Sequence, residues 1–246
     1  MATAKKISRK ELRQPDEFLS FSARAIEYVR LHSREFAIGI ASIVVLSLLL
    51  WAWTAYSEKK ETTASQLVAQ AQSLWKPAFP GEATEQAGID RPREDPVANQ
   101  RALEILEDVI DNYRRTSACP VARILLGQIY YEEGQYDKAI ATYEDFFKSR
   151  HPKPELTALA WEGLAYSHEA KGDFAKALGC YEELTQMTLT NVQGWAYLGL
   201  ARCYEKLQQF EKALDAYRTL LANQPEHPKA PEARATIARI TQLLGE

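Results

Sequence analysis

The sequence is poor in the residues from which reactive sites are built. It has four histidines, three cysteines and two methionines in 246 residues. His32, His151, His168 and His227 are dispersed, with no metal-ligand spacing among them. No glycine-rich phosphate loop and no Gly-x-Ser-x-Gly elbow occurs. Acid pairs such as Glu132-Glu133 and Glu182-Glu183 fall on helical stretches, where they read as solvated faces. The expectation is therefore a chain without catalytic residues, cofactor or metal. An enzymatic site in the loop at 76–96 has little to support it. Cys119, Cys180 and Cys203 are odd in number and set out no disulfide framework. Cys180 and Cys203 read as small packing residues on helices. A net charge of −3 excludes the strong basic excess of a nucleic-acid binder.

Charge is nevertheless uneven. The first 35 residues carry eight Lys or Arg against five acids. Residues 1–17 are polar and basic, with Pro15 breaking any early helix, and read as a cytoplasmic tail. In 16–34 the residues Phe18, Phe21, Ala25, Ile26 and Val29 recur at steps of mostly three and four. That spacing predicts an amphipathic helix, with Arg24, Arg30 and Arg34 lying away from most of the stripe. Such a helix rests on an anionic lipid surface, packs on a partner or is simply solvated.

Residues 36–56, FAIGIASIVVLSLLLWAWTAY, run 21 positions without a charge. As a helix they extend roughly 31 Å, the thickness of a hydrocarbon core. Trp51, Trp53 and Tyr56 gather at the far end, where amphipathic aromatics favour headgroup depth. A cleaved signal would need a much shorter leader and a small-x-small site. The reading is a single transmembrane helix, with lipid contact through residues 18–56. Arg24, Arg30 and Arg34 flank it on one side and Lys59-Lys60 on the other. The positive-inside rule then leaves the N-terminus in the cytoplasm and carries residues 57–246 across.

Beyond the anchor, Ala64, Leu67, Val68, Ala71, Leu74 and Trp75 continue a helical pattern. Pro77, Pro80, Gly81, Gly88, Pro92 and Pro96 punctuate a long loop at 76–96. Periodicity returns at 97–113. These two helices form a degenerate first repeat over 57–119.

One phrase then appears three times: Asp137-Lys138-Ala139-Ile140-Ala141-Thr142-Tyr143, Ala175-Lys176-Ala177-Leu178-Gly179-Cys180-Tyr181, and Glu211-Lys212-Ala213-Leu214-Asp215-Ala216-Tyr217. Ala139, Ala177 and Ala213 stand 38 and then 36 residues apart, the period of a stacked helical repeat. Registers anchored on these alanines begin at Pro120, Ala158 and Gly194. They align Leu126, Leu164 and Leu200; the small residues Gly127, Ala165 and Ala201; and Tyr143, Tyr181 and Tyr217. Gly134 and Gly172 suit a left-handed helix end, and Gln208 takes that place in the third unit. The extra residues around Lys153-Pro154 and 188–192 read as longer turns between repeats. Residues 229–244 read as a capping helix.

In these residues the array resembles the tetratricopeptide repeat, in which two antiparallel helices cross at small residues. The resemblance implies an all-α solenoid over 120–246, with about three clear repeats. It also implies that the first helix of each pair lines a concave groove for other proteins. The implied groove residues include Gln128 and Tyr131, then Glu162 and Tyr166, then Trp195, Leu198 and Arg202. Any one of Tyr131, Tyr166 and Trp195 could equally pack between repeats. The basic clamp by which some relatives hold a C-terminal carboxylate is missing. The whole layout resembles the bacterial ancillary SecYEG translocon subunits of the YfgM type, whose repeat domain is related to CpoB. That resemblance implies a single-pass inner-membrane protein with a periplasmic repeat domain, binding translocon components or envelope clients. A cytoplasm-facing adaptor that binds targeting sequences is the alternative.

Overall fold

The computed structural model describes residues 28, 30–75, 96–148 and 153–245. The basic tail at 1–17 lies outside them. So does the apolar stripe expected within 16–34, and so does the loop at 76–96 up to Pro96, which already opens a helix. The chain divides into two compact units, Met1–Glu58 and Lys59–Glu246. Among the described residues the chain is all-helical, with no strand.

Helix α1 spans Ser33–Leu74. It is long and apolar enough to cross a membrane: its most apolar 18-residue window has a mean hydropathy of 2.3, and none of that window is buried within the chain. Ile43, Leu46, Leu50, Trp51 and Trp53 are all exposed. The serine and threonine hydroxyls of residues 36–56 are satisfied by the helix itself. Ser42 donates to the Ile38 carbonyl and Ser47 to that of Ile43, both at 2.8 Å, and Thr54 donates to that of Trp51 at 2.9 Å. From residue 59 onward the same helix changes character. Ala64, Val68, Ala71 and Trp75 are buried and join the hydrophobic core of the second unit.

Among the described residues the rest of that unit is a run of eight helices: α2 (Pro96–Asn112), α3 (Ala118–Glu132), α4 (Tyr136–Phe147), α5 (Pro154–Ala170), α6 (Phe174–Gln186), α7 (Thr190–Lys206), α8 (Phe210–Asn223) and α9 (Ala230–Leu244). Helices α3/α4, α5/α6 and α7/α8 are antiparallel pairs. Each second helix also packs on the next first helix, α4 on α5 and α6 on α7, while α2 closes one end against α3 and α9 the other against α8. In addition, α3 packs on α5 and α5 touches α7. The first helices thus approach one another directly and form the inner side of the stack.

The repeated phrase has a simple geometric reason. Ala139, Ala177 and Ala213 are wholly buried, as are Ala165 and Ala201 opposite them. Two backbones can come this close only where side chains are small. Tyr143, Tyr181 and Tyr217 fill the space beside each crossing and are buried to within a few per cent. Each turn inside a pair is the same device. The Gln135 N–H donates to the Tyr130 carbonyl at 2.8 Å and the Gly134 N–H to that of Tyr131 at 3.0 Å. Asp173 with Gly172, and Gln209 with Gln208, repeat these two bonds. This double closure needs a left-handed residue, and Gly134 and Gly172 provide it at φ 73° and 80°. Gln208 adopts φ 58° despite its Cβ, because the flanking helices dictate the turn.

One expectation is corrected. The extra residues between repeats do not simply lengthen the turns. Pro154 starts α5, and residues 190–192 lie inside α7, so these two helices have 17 residues where α3 has 15. Proline lacks the N–H that a first helical turn leaves unused, so it extends a helix at this end at no cost.

Candidate protein-binding face

The inner helices α3, α5 and α7 present the side chains expected to form a groove, and the structure sorts them. Tyr131, Tyr166, Glu162 and Arg202 are half-buried and converge. The rings of Tyr131 and Tyr166 lie 6.5 Å apart, and Tyr136, at the start of α4, lies 5.7 Å from Tyr131. The Tyr166 hydroxyl donates to Glu162 at 3.3 Å, and the Arg202 guanidinium lies 5.9 Å from the Tyr166 ring centre. Tyr166 also meets the buried Tyr181 edge-on at 6.2 Å. Gln128 is half-buried on the same helix as Tyr131.

Two expected groove residues stand apart. Leu198 is only 4% exposed and belongs to the core of the stack, so it supports the face without forming part of it. Trp195 is half-buried, but its ring meets His227 edge-on at 4.6 Å, which ties α7 to the segment after α8. His227 itself is buried, and burial lowers its pKa, so the ring packs there as a neutral group.

An electrostatic ladder joins successive repeats, and the spacing rules did not reveal it. Arg202 donates to Glu169 at 2.9 Å, and to the hydroxyl oxygen of Tyr181 at 3.2 Å, while the Tyr181 hydroxyl donates to Glu169. The arrangement recurs one step on: Tyr217 donates to Glu205 at 2.7 Å, and Arg239 of the capping helix donates to the same carboxylate. Both tyrosines therefore hold their protons firmly. Burial raises the pKa of each, and the adjacent carboxylate adds to the effect. Burial works against the charge on Arg202, but Tyr181 and Glu169 more than offset it. Glu169 and Glu205 each precede their tyrosine by twelve residues, a spacing visible in the sequence once the register is known.

Burial raises the Glu162 carboxyl above its usual range, and the Tyr166 hydroxyl and Arg202 only partly counter it. Cys119, Cys180 and Cys203 are free and buried. Burial pushes the thiols of Cys180 and Cys203 up to about 11 and about 12, which makes both poor nucleophiles. Among the described residues no group of three or more His, Cys, Asp and Glu is placed to hold a metal ion.

The tetratricopeptide repeat family matches residues 99–147, 124–188, 163–228 and 198–244. A comparison with curated proteins gave no match. Among solved structures, the apo form of RapI is 14% identical at a TM-score of 0.51, over 61% of this chain and 43% of RapI, a likeness of fold alone. PcrH from Pseudomonas aeruginosa is 20% identical over 50% of this chain and 91% of its own, at a TM-score of 0.44. The nearly identical TPR-like repeats of a putative kinesin light chain from Podosopora anserina are 22% identical over 61% of this chain and 81% of theirs, at a TM-score of 0.49.

Proposed function

The chain belongs to the tetratricopeptide repeat family, and from that premise we propose that it is a membrane-anchored scaffold whose inner face holds segments of other proteins. The observation that carries this reading is the convergence of Tyr131, Tyr136, Tyr166, Glu162 and Arg202 on helices α3–α5 and α7. Half-buried aromatics beside charged groups offer area at little entropic cost, together with fixed hydrogen-bonding partners. Replacing Tyr131 and Tyr166 together by Ala, with a crosslinker at Gln128, tests it. Partner capture is expected to fall while helicity is kept. Unchanged capture by a folded variant refutes the inner face as the binding surface.

The anchor is the apolar part of α1. Its exposed aliphatic surface and its internally bonded hydroxyls are what a helix in hydrocarbon requires. The basic excess before it favours an inner-membrane protein with a cytoplasmic N-terminus and a periplasmic repeat domain. In that orientation the scaffold serves secretion or envelope protein biogenesis near the Sec translocon, as its resemblance in layout to the YfgM type suggests. The basic pair Lys59-Lys60 favours the opposite reading, a cytoplasm-facing adaptor for targeting sequences. A reporter fused after Glu246 and active only outside the cytoplasm separates the two: activity supports the first, silence the second.

A further inference from the structure

The stack contains its own comparison. The Tyr181 ring lies against Gly199, where an added Cβ would meet it at 2.3 Å; three residues on stands Arg202, paired with Glu169. One step earlier the Tyr143 ring lies against Gly163 in the same way, where an added Cβ would meet it at 2.2 Å. Three residues on from Gly163 stands Tyr166, and twelve before Tyr143 stands Tyr131. Where the α5–α7 step has a glutamate and an arginine, the α3–α5 step therefore has two tyrosines.

The charged side chains that act on Tyr166 are Glu162, Glu169 and Arg202, two acids to one base. Arg202 already pairs with Glu169. Among the described residues no lysine or arginine lies over the ring of Tyr131 or Tyr136. Tyrosine faces attract cations, and a planar guanidinium can stack on them while donating to a carboxylate.

Resting on the proposed inner-face binding, we propose that Tyr131, Tyr136, Tyr166 and Glu162 form a receptor site for an arginine side chain of the bound polypeptide. The partner's guanidinium takes the role that Arg202 and Arg239 play in the later steps, donating to a glutamate that also accepts from a tyrosine hydroxyl, here Glu162, and it stacks on the rings of Tyr131 and Tyr136. Unlike those two, it comes from outside, so this step reads sequence where the others only hold the stack together. Burial already penalises the charge of Glu162, and an incoming cation relieves that penalty.

The test is selection of random short peptides on the detergent-solubilised full-length chain. Binding of enriched peptides is then measured with their arginine intact or replaced by citrulline, which keeps the shape and removes the charge. Arginine is expected in the enriched set, and citrulline is expected to weaken binding about tenfold. Tyr131→Glu with Tyr166→Arg transplants the pair of the later step and fills the site from within. It should bind the arginine and citrulline peptides equally and weakly. Should that variant lose its helicity, Glu162→Gln carries the test, and its citrulline penalty should shrink several-fold. Enriched peptides that lack arginine or ignore citrulline overturn this inference and leave inner-face binding standing. So does a folded variant with an undiminished penalty. If no peptide is enriched at all, both readings fall together.

Discussion

Gly199→Ala and Gly179→Ala are the same chemical change in two neighbouring helices and should have opposite signs. Both glycines lie inside helices, α7 and α6, where alanine is favoured by about 1 kcal/mol. At Gly179 an added Cβ meets nothing within 4 Å, so that gain is kept and stability should rise by about 0.5–1 kcal/mol. At Gly199 the Cβ would lie 2.3, 2.4 and 2.6 Å from three ring atoms of Tyr181. Tyr181 is 1% exposed and cannot swing into solvent, and its hydroxyl is tied to Glu169 and Arg202. Overpacking of this kind costs about 1–3 kcal/mol. Moving the ring also strains hydrogen bonds to charged groups, each of which contributes about 1.5–3 kcal/mol. Steric cost therefore outweighs propensity, for a net loss of about 2–4 kcal/mol. Urea unfolding of the full-length chain followed by far-UV circular dichroism reads both changes. Tyr181→Leu in the Gly199→Ala background should recover part of the loss, making the double variant at least about 1 kcal/mol more stable than the sum of its singles. Gly199→Ala as stable as Gly179→Ala, or additivity in the double variant, would refute the reasoning that a tyrosine ring fills the glycine's place.

Two further changes probe the turns and the inner face. Gln208→Gly should raise the urea midpoint by about 1 kcal/mol of stability, since it removes a Cβ from a left-handed position; an unchanged or lower midpoint contradicts the strain at φ 58°. Glu162→Gln should stabilise the fold at neutral pH and lose that advantage in acid. The native carboxyl takes up its proton above the usual value of 4.5, so between that value and its raised one the folded state binds more protons and wild-type stability falls as pH rises. Paired urea titrations at neutral and acid pH check the sign, and an advantage for Gln that grows in acid reverses it.

Much of the scaffold is legible in the primary sequence because it depends on local requirements repeated at a fixed interval. A helix crossing needs a small residue, so Ala139, Ala177 and Ala213 announce themselves, and a left-handed turn announces Gly134 and Gly172. The apolar stretch of α1 is equally plain, since length and lack of charge are properties of the sequence alone. Helix limits were less legible. Lys153 and Pro154 look like loop chemistry, yet proline's fixed φ also suits a first helical turn, and packing against α4 chooses the helix.

The inner face was legible as a set of positions but not as a set of contacts. Register places Leu198 and Arg202 on the same helix face, but only packing against neighbouring helices buries one and leaves the other half-open. Glu169 reaches Arg202 across 33 residues, and Glu205 reaches Arg239 across 34. Such pairs join neighbouring repeats, and no local rule links them. The sequence by itself determined that there would be paired helices, where they cross and where they turn, because each of those depends on residues close in the chain. The tertiary structure decided which tyrosines are sealed by their neighbours and which stay open, because that depends on how one repeat leans on the next.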